Sequence, residues 1–215
     1  MGETVETKKM TRKEQAANTK RIISDAVRDL LSKYKFQDIS VKMICDAADV
    51  SVGSFYHYFP SKDFILLVKN LWDEYFEELL QTHTFTGDTM QDVKFWMWNH
   101  TWYVEKEFGL DMQIELFRSQ LSHSADSNKE FFIASRPFVK TLKQLLTDGV
   151  ESGQLTKTIP VKAMVDELLR CSNGTLFDWC IKNGGYNVSE EAQLLVSKVL
   201  ESYRVPPDTG SDTID

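Results

Sequence analysis

A short run of polar-tipped side chains is the part of this sequence best suited to chemistry. Ser54, Tyr56, His57 and Tyr58 lie within five residues, and Lys62 follows shortly after. Hydroxyl, imidazole and ammonium groups can donate hydrogen bonds to phosphate oxygens and base edges. Gly53 and Ser54 are small enough to let a backbone approach closely. The run therefore indicates recognition of a nucleic acid rather than bond cleavage.

Two short helices are predicted to carry these residues. Ser40 stands at an N-cap position before apolar residues at helical spacing (Val41, Ile44, Ala47, Ala48). Ser51 caps a second helix, Val52 to Tyr58, which Pro60 ends because the residue before proline resists the helical region. A three-residue turn between them makes a helix-turn-helix, whose second helix enters the DNA major groove. Phe55 and Phe59, four apart, point back into the domain.

The run GSFYHYFPSKDFIL, with Ile44, Ala47 and Val50 before it, resembles the TetR (tetracycline-repressor) family of bacterial one-component regulators. The resemblance extends from about Thr19 to Leu67; beyond it, only the chain length and the helical layout are similar. It implies that Lys62 contacts a phosphate, although a solvated lysine would give the same pattern. It also implies a dimer whose C-terminal domain binds a small-molecule effector.

Within this motif we expect Tyr56 and Tyr58 to hold phosphates, while Ser54 and His57 reach base edges. The alternative for both tyrosines is packing with only the polar tip exposed. Val52 departs from the family, where a polar residue is frequent, so DNA shape would carry more of the recognition. The predicted DNA-binding set is Ser40, Lys42, Ser51, Val52, Gly53, Ser54, Tyr56, His57, Tyr58 and Lys62.

The charge distribution fits a DNA-binding head on an acidic body. The net charge is −7, but residues 1–62 hold 11 Lys and Arg against 8 Asp and Glu, and residues 63–215 hold 14 against 24. Local positive charge is what attracts a polyanion. No apolar run is long enough to cross a bilayer and the N-terminus is polar, so we expect a cytoplasmic protein without a membrane partner.

Catalytic and metal-binding patterns are missing from the sequence. The histidines (His57, His83, His100, His123) and the cysteines (Cys45, Cys171, Cys180) have no metal-ligand spacing, and no GxSxG or glycine-rich phosphate loop occurs. We therefore predict no enzyme activity, no metal site and no cofactor. A thiol redox sensor and an enzyme with scattered catalytic residues remain as alternatives.

The predicted fold is all-α, with about nine helices and no strand. A loose arm spans residues 1–12, the helix-turn-helix domain 13–65, a helical ligand-binding and dimerisation domain 66–205, and a disordered tail 206–215. The long helix after Ser61 is predicted to carry the chain from one domain into the next. Further helices are expected at Thr89–Val104, Asp111–Leu121, Lys129–Ser152 with a possible kink at Pro137, Pro160–Lys182 and Ser189–Tyr203.

The stretch FWMWNHTWYV (95–104) is apolar almost all the way round, so its rings either fill the core or line a cavity. A planar or cationic molecule would suit aromatic faces beside a carboxylate, and an anion would suit arginine. Glu115 and Arg118, three apart, could instead pair on a helix surface. The predicted pocket residues are Trp98, Trp102, Glu115, Phe117, Arg118, Asn173 and Asp178.

The resemblance assigns dimerisation to the last two helices, which would form a four-helix bundle across a twofold axis. The predicted interface residues are Leu168, Ser172, Thr175, Leu195 and Val199; the alternative is packing within one protomer. The sequence thus predicts a TetR-like regulator, a repressor rather than an activator, with an operator, an effector and a second copy as partners. The alternative is a TetR-fold module that binds a ligand or partner without binding an operator.

Overall fold

The computed structural model describes residues 11–34, 38–59, 64–122 and 136–205. The described parts are helical and hold only one isolated bridge, between Leu155 and Arg204, which confirms the all-α prediction. A π-helical segment, Val104–Phe108, joins the fifth and sixth helices. The nine α-helices of these parts are α1 (Arg12–Leu31), α2 (Val41–Ala48), α3 (Val52–Tyr58), α4 (Phe64–Thr82), α5 (Thr89–Tyr103), α6 (Gly109–Ser122), α7 (Pro137–Glu151), α8 (Val161–Ile181) and α9 (Val188–Glu201).

Several helix starts differ from the sequence predictions for identifiable reasons. Thr11 and Glu14 form a reciprocal capping box, so α1 begins at Arg12, one residue before the predicted start of the helix-turn-helix domain. Pro137 is the first residue of α7 rather than a kink within it. Asn187, not Ser189, caps α9, because the Asn187 side chain accepts the Glu190 N–H at 3.1 Å. Ser189 is buried and donates to the Glu105 carboxylate instead.

The chain divides into two compact units between Leu71 and Trp72, within α4. In the N-terminal unit α2 packs against α1 and α3. Apolar side chains from these helices and from the segment before α2 close a small core: Ile23, Ala26, Val27, Ile39, Ile44, Ala48, Phe55 and Phe59. Burial of these residues fixes which side of α3 faces outward.

The C-terminal unit is built around α5, which contacts α7, α8 and α9. This arrangement explains why α5 is apolar on most of its faces. Trp96 is fully buried there, and its indole N–H donates to the Phe138 carbonyl at 2.9 Å. Its ring lies 4.8 Å from that of Phe76 and 5.9 Å from that of Phe138. The ring of Trp96 therefore fills the core, which is the first of the two alternatives that the sequence left open for the tryptophan-rich helix.

No helix in the described part of the chain is both long and apolar enough to cross a membrane.

Buried polar contacts stabilise the C-terminal unit in addition to its apolar packing. Arg136 is buried, pairs with Asp73 at 2.9 Å and lies 4.5 Å above the ring of Trp72. Such a paired and stacked guanidinium fixes α7 against the C-terminal half of α4.

Candidate nucleic-acid interface and ligand cavity

The turn between α2 and α3 is fixed by local contacts. Ser40 and Ser51 each cap the helix that follows, accepting the N–H of Met43 at 3.2 Å and of Ser54 at 3.0 Å. Asp49 ends α2 in the left-handed conformation, with φ 50°, which aspartate tolerates better than most residues. The caps and the left-handed residue together set the angle at which α3 leaves α2.

The two sides of α3 differ sharply. Phe55 is buried and packs against buried Phe59, their ring centroids 5.5 Å apart. The predicted recognition residues lie on the other side: Val52, Gly53, Tyr56 and His57 are exposed, whereas Ser54 and Tyr58 are half-buried. Positions i and i+4 share a helix face, so Val52 and Tyr56, like Gly53 and His57, form one continuous surface.

The other predicted DNA-binding residues are two capping serines and two lysines. Ser40 and Ser51 are exposed, and a hydroxyl that accepts a capping hydrogen bond can still donate its own proton to a phosphate. Lys42 is exposed but pairs with Asp46 at 2.6 Å, and this contact raises the pKa of the Lys42 ammonium. DNA would have to compete with Asp46 for that lysine. Lys62 lies outside the described residues.

A small cavity of about 20 Å³ lies in the C-terminal unit, between α4, the π segment, α5, α6 and α8. Phe117 and Asn173 are the predicted pocket residues that line it. Trp98 and Trp102 are half-buried elsewhere on α5, where Trp102 stacks on Tyr75 with centroids 6.5 Å apart. Of these four predicted pocket residues, the structure thus places Phe117 and Asn173 at the cavity and Trp98 and Trp102 outside it.

The predicted charged anchors are engaged in other contacts. Glu115 and Arg118 pair with each other on α6, which is the alternative that their spacing allowed. Asp178 pairs with Lys182 at 3.0 Å and accepts the Tyr186 hydroxyl at 2.9 Å, and these contacts lower the pKa of its carboxyl group. None of the three borders the small cavity.

The cavity's polar groups include two that the sequence interpretation missed, His100 on α5 and Gln113 on α6. Both are buried. The signal for His100 was a polar residue within an otherwise apolar helix, but its neighbour Asn99 shares that signal. Asn99 is satisfied, since it accepts the Tyr75 hydroxyl at 2.7 Å and donates to the Phe95 carbonyl at 2.8 Å.

The predicted dimer residues occupy two different environments. Leu168, Ser172 and Thr175 are buried inside the protomer, so the predicted interface has to be corrected: a partner cannot reach that face of α8. Leu195 is exposed and Val199 half-buried. The apolar side chains that α8 and α9 leave exposed are Phe177, Ile181, Leu194 and Leu195. The predicted α8 residues therefore lie on the inward face of that helix.

Residues 23–67 match the family described as bacterial regulatory proteins, tetR family. This match spans α2, α3 and the turn between them, together with the C-terminal part of α1 and the first residues of α4. Residues 23–67 form a TetR-family domain. The family consists of regulatory proteins, in agreement with the expectation that the chain is not an enzyme.

The TetR-like fold extends over nearly the whole chain. The FadR regulator of Bacillus subtilis, solved with stearoyl-CoA, is 16% identical with a TM-score of 0.63, over 86% of this chain and 99% of its own. Thermus thermophilus FadR, a TetR-family repressor solved with lauroyl-CoA, is 19% identical with a TM-score of 0.65, over 88% and 97%. RolR, solved with resorcinol, is 15% identical with a TM-score of 0.63, over 91% and 92%. No curated protein sequence matches the chain.

Acidification should destabilise the TetR-like C-terminal unit through His100. Burial lowers the pKa of its imidazole to about 3; Asn173 opposes the shift and Arg136 adds to it. Below the ordinary value of about 6.5, the unfolded chain binds a proton that the folded chain refuses, so stability is lost as the pH falls. At pH 5 the loss should be about 2 kcal/mol. The free energy of unfolding of His100→Phe, measured with urea at pH 7 and pH 5, should lack this loss. If it fell between the two pH values as much as that of the wild type, the prediction would be contradicted.

Proposed function

We propose that the protein is a dimeric transcriptional repressor that binds a pseudo-palindromic operator through α2 and α3 and leaves it when a small molecule binds the C-terminal unit. One observation carries the DNA-binding part of the proposal. The side of α3 opposite the buried Phe55 exposes Val52, Gly53, Tyr56 and His57 together. This face combines hydrogen-bond donors with an apolar group that suits a thymine methyl, as base and backbone recognition requires.

Gly53 offers a way to test the approach of α3 to DNA without disturbing the fold. A Cβ placed there would have only the Ser51 hydroxyl nearby, at 3.9 Å, so Gly53→Ala should fold normally and gain helix propensity. If α3 lies against the operator, the added methyl group should instead lower operator affinity by about tenfold or more. Fluorescence anisotropy with operator DNA, together with thermal unfolding, measures both effects. An unchanged affinity would mean that no DNA surface comes close to Gly53.

Binding to the DNA upstream of its own gene tests the proposed function. We expect affinity for one short segment to exceed affinity for scrambled DNA, and the logarithm of the binding constant to fall steeply and linearly with the logarithm of the salt concentration. The steep slope reports phosphate contacts, and the excess over scrambled DNA reports base readout. Absence of both would favour a TetR-fold module without an operator.

The exposed faces of α8 and α9 support the dimer in this proposal. Phe177 and Ile181 on α8 and Leu194 and Leu195 on α9 leave apolar side chains without cover in a lone protomer. Two such faces related by a twofold axis would bury each other, because a twofold interface uses the same patch on both copies. Two α3 helices would then be presented to half-sites about one helical turn, 34–36 Å, or a multiple of it apart.

Placing a charge on this face should separate the protomers. Leu194→Glu would bury a carboxylate in the interface, so the variant should sediment as a monomer at micromolar concentrations where the wild type is a dimer. Leu121→Glu is the matched control, since Leu121 on α6 is 79% exposed and Leu194 is 57% exposed. A monomeric wild type, or a Leu194→Glu variant that remains dimeric, would remove α9 from the interface.

The fold supports the binding of an effector in the C-terminal unit but does not identify that effector. FadR and RolR share this fold, yet they were solved with acyl-CoA and with resorcinol, which are chemically unlike. The chemical class of the ligand therefore has to be inferred from the residues that line the cavity of this chain. Whatever binds must prefer the conformation that cannot bind DNA, because a ligand with equal affinity for both conformations shifts nothing. Acting on DNA, the protein would work in the cytoplasm.

A further inference from the structure

The small cavity is lined by polar atoms that make no hydrogen bond of ordinary geometry within the described structure. Both ring nitrogens of His100 and the Oε1 atom of Gln113 are buried without a hydrogen bond of ordinary geometry to any described residue, although the Asn173 side chain lies near enough to His100 to raise the pKa of its imidazole. His100 is 5% exposed and Gln113 3% exposed, and both line the cavity. Nearly all buried polar groups in folded proteins are paired, so three unpaired atoms at one cavity indicate a missing partner.

The rest of the wall is mostly apolar. Val104, Phe108, Leu116 and Leu176 line the cavity along with Phe117. Val104 and Phe108 are the two ends of the π segment, whose wider turn is uncommon and frequently marks a functional site. A ligand that fits must therefore present an apolar body to these side chains and place its polar group near His100 and Gln113.

Among the described residues, no charged side chain lines the cavity. Arg136 affects the pKa of His100, but its guanidinium pairs with Asp73 at 2.9 Å and covers the ring of Trp72. Burying an ion without a counter-ion is costly, so an anionic or cationic head group would be rejected here. The polar part of the ligand is therefore neutral.

We propose that this cavity binds a small neutral aromatic or alicyclic molecule whose hydroxyl or amide group hydrogen-bonds to His100 and Gln113. The proposal rests on the proposed function, since it assigns the chemical class of the effector. A neutral imidazole can donate from one nitrogen and accept at the other, and the Gln113 oxygen can only accept. A hydroxyl group can donate to one of these partners and accept from the other.

The cavity must widen to take up such a ring. Its present volume is about 20 Å³, which is close to the room needed for one water molecule. Phe108 and Phe117 are only half-buried, and Gly109, with φ 73°, is the first residue of α6 and directly follows the π segment. An outward movement of the first turns of α6 would enlarge the cavity. The liganded conformation would then differ from the one described here, as an effector requires.

Three probes of similar size separate the possibilities in the full-length protein without DNA. Phenol carries a neutral hydroxyl, toluene has none, and benzoate carries a negative charge. Titration at millimolar concentrations, followed by the ¹⁵N shifts of the His100 ring, should show saturable binding of phenol at least about tenfold tighter than binding of toluene or benzoate. The variant His100→Phe identifies the His100 signals by their loss, and calorimetric titration should show that it binds phenol about as weakly as toluene.

His83→Phe serves as the matched control because His83 stacks on Phe95, with centroids 3.8 Å apart, away from the cavity. It should bind phenol like the wild type. Equal binding of the three probes, tighter binding of benzoate, or no shift at all, as expected if the cavity holds water only, would each overturn the proposal. The comparison of probes in the wild type decides the matter even if a variant fails to fold. Operator binding is measured separately, so failure here leaves the DNA-binding proposal standing.

Discussion

Replacing Tyr56 with alanine should lower operator affinity by roughly 100-fold, or about 2.7 kcal/mol. Tyr56 is 46% exposed on the outward side of α3, and its ring meets that of Phe55 edge-on, with centroids 5.5 Å apart. The hydroxyl is thereby held in place to donate to a phosphate, a charge-assisted contact that contributes about 1.5–3 kcal/mol. Tyr56→Phe keeps the ring and loses only this contact, so it should weaken binding by about tenfold.

Tyr34→Ala is the matched control for this prediction. Tyr34 is 50% exposed in the same N-terminal unit but follows α1 and is not part of α3. The control should bind the operator as well as the wild type does, and circular dichroism and sedimentation should show both variants folded and dimeric. If Tyr56→Ala retained full affinity, or if Tyr34→Ala lost as much, the outward side of α3 would not be the DNA-binding face.

Trp96→Ala should reduce the free energy of unfolding of the C-terminal unit by about 4 kcal/mol. The substitution removes the largest fully buried side chain and leaves the Phe138 carbonyl without its 2.9 Å donor. Its contacts with Phe76 and Phe138 are lost as well. Urea unfolding at fixed protein concentration, followed by far-ultraviolet circular dichroism, measures the change.

Trp98 provides the comparison within the same helix. It is half-buried, so Trp98→Ala should cost less than about 2 kcal/mol. Trp96→Phe should fall between the two, since it retains the ring contacts but not the hydrogen bond. Equal losses for Trp96→Ala and Trp98→Ala would show that the tryptophan-rich helix is not packed as described.

The helix-turn-helix could be predicted from the sequence because its determinants are local. The caps Ser40 and Ser51 stand at fixed short distances from the helices that they begin, and the predicted bounds of α3, Val52 to Tyr58, agree with the structure. Phe55 and Phe59 also lie on the inward side as expected. Local spacing suffices here, because each helix is only about two turns long.

The cavity could not be predicted in the same way. An amphipathic helix reveals its inward side through its period, but α5 is apolar on most faces, so its sequence does not tell His100 from Trp98. Packing against α7, α8 and α9 decides which residue meets the cavity. The same limit explains the wrong prediction for α8, in which polar Ser172 and Thr175 were assigned to a dimer interface although both side chains are buried in the protomer.

Chemical probing of the operator in the bound complex tests the central claim, that α3 enters the major groove, most directly. Guanine N7 lies in the major groove, so its methylation by dimethyl sulfate reports whether that groove is covered. We predict that the protein protects guanines in two blocks related by approximate twofold symmetry, with centres about one helical turn or a multiple of it apart. Bound DNA whose guanine N7 atoms all remain reactive would contradict the account.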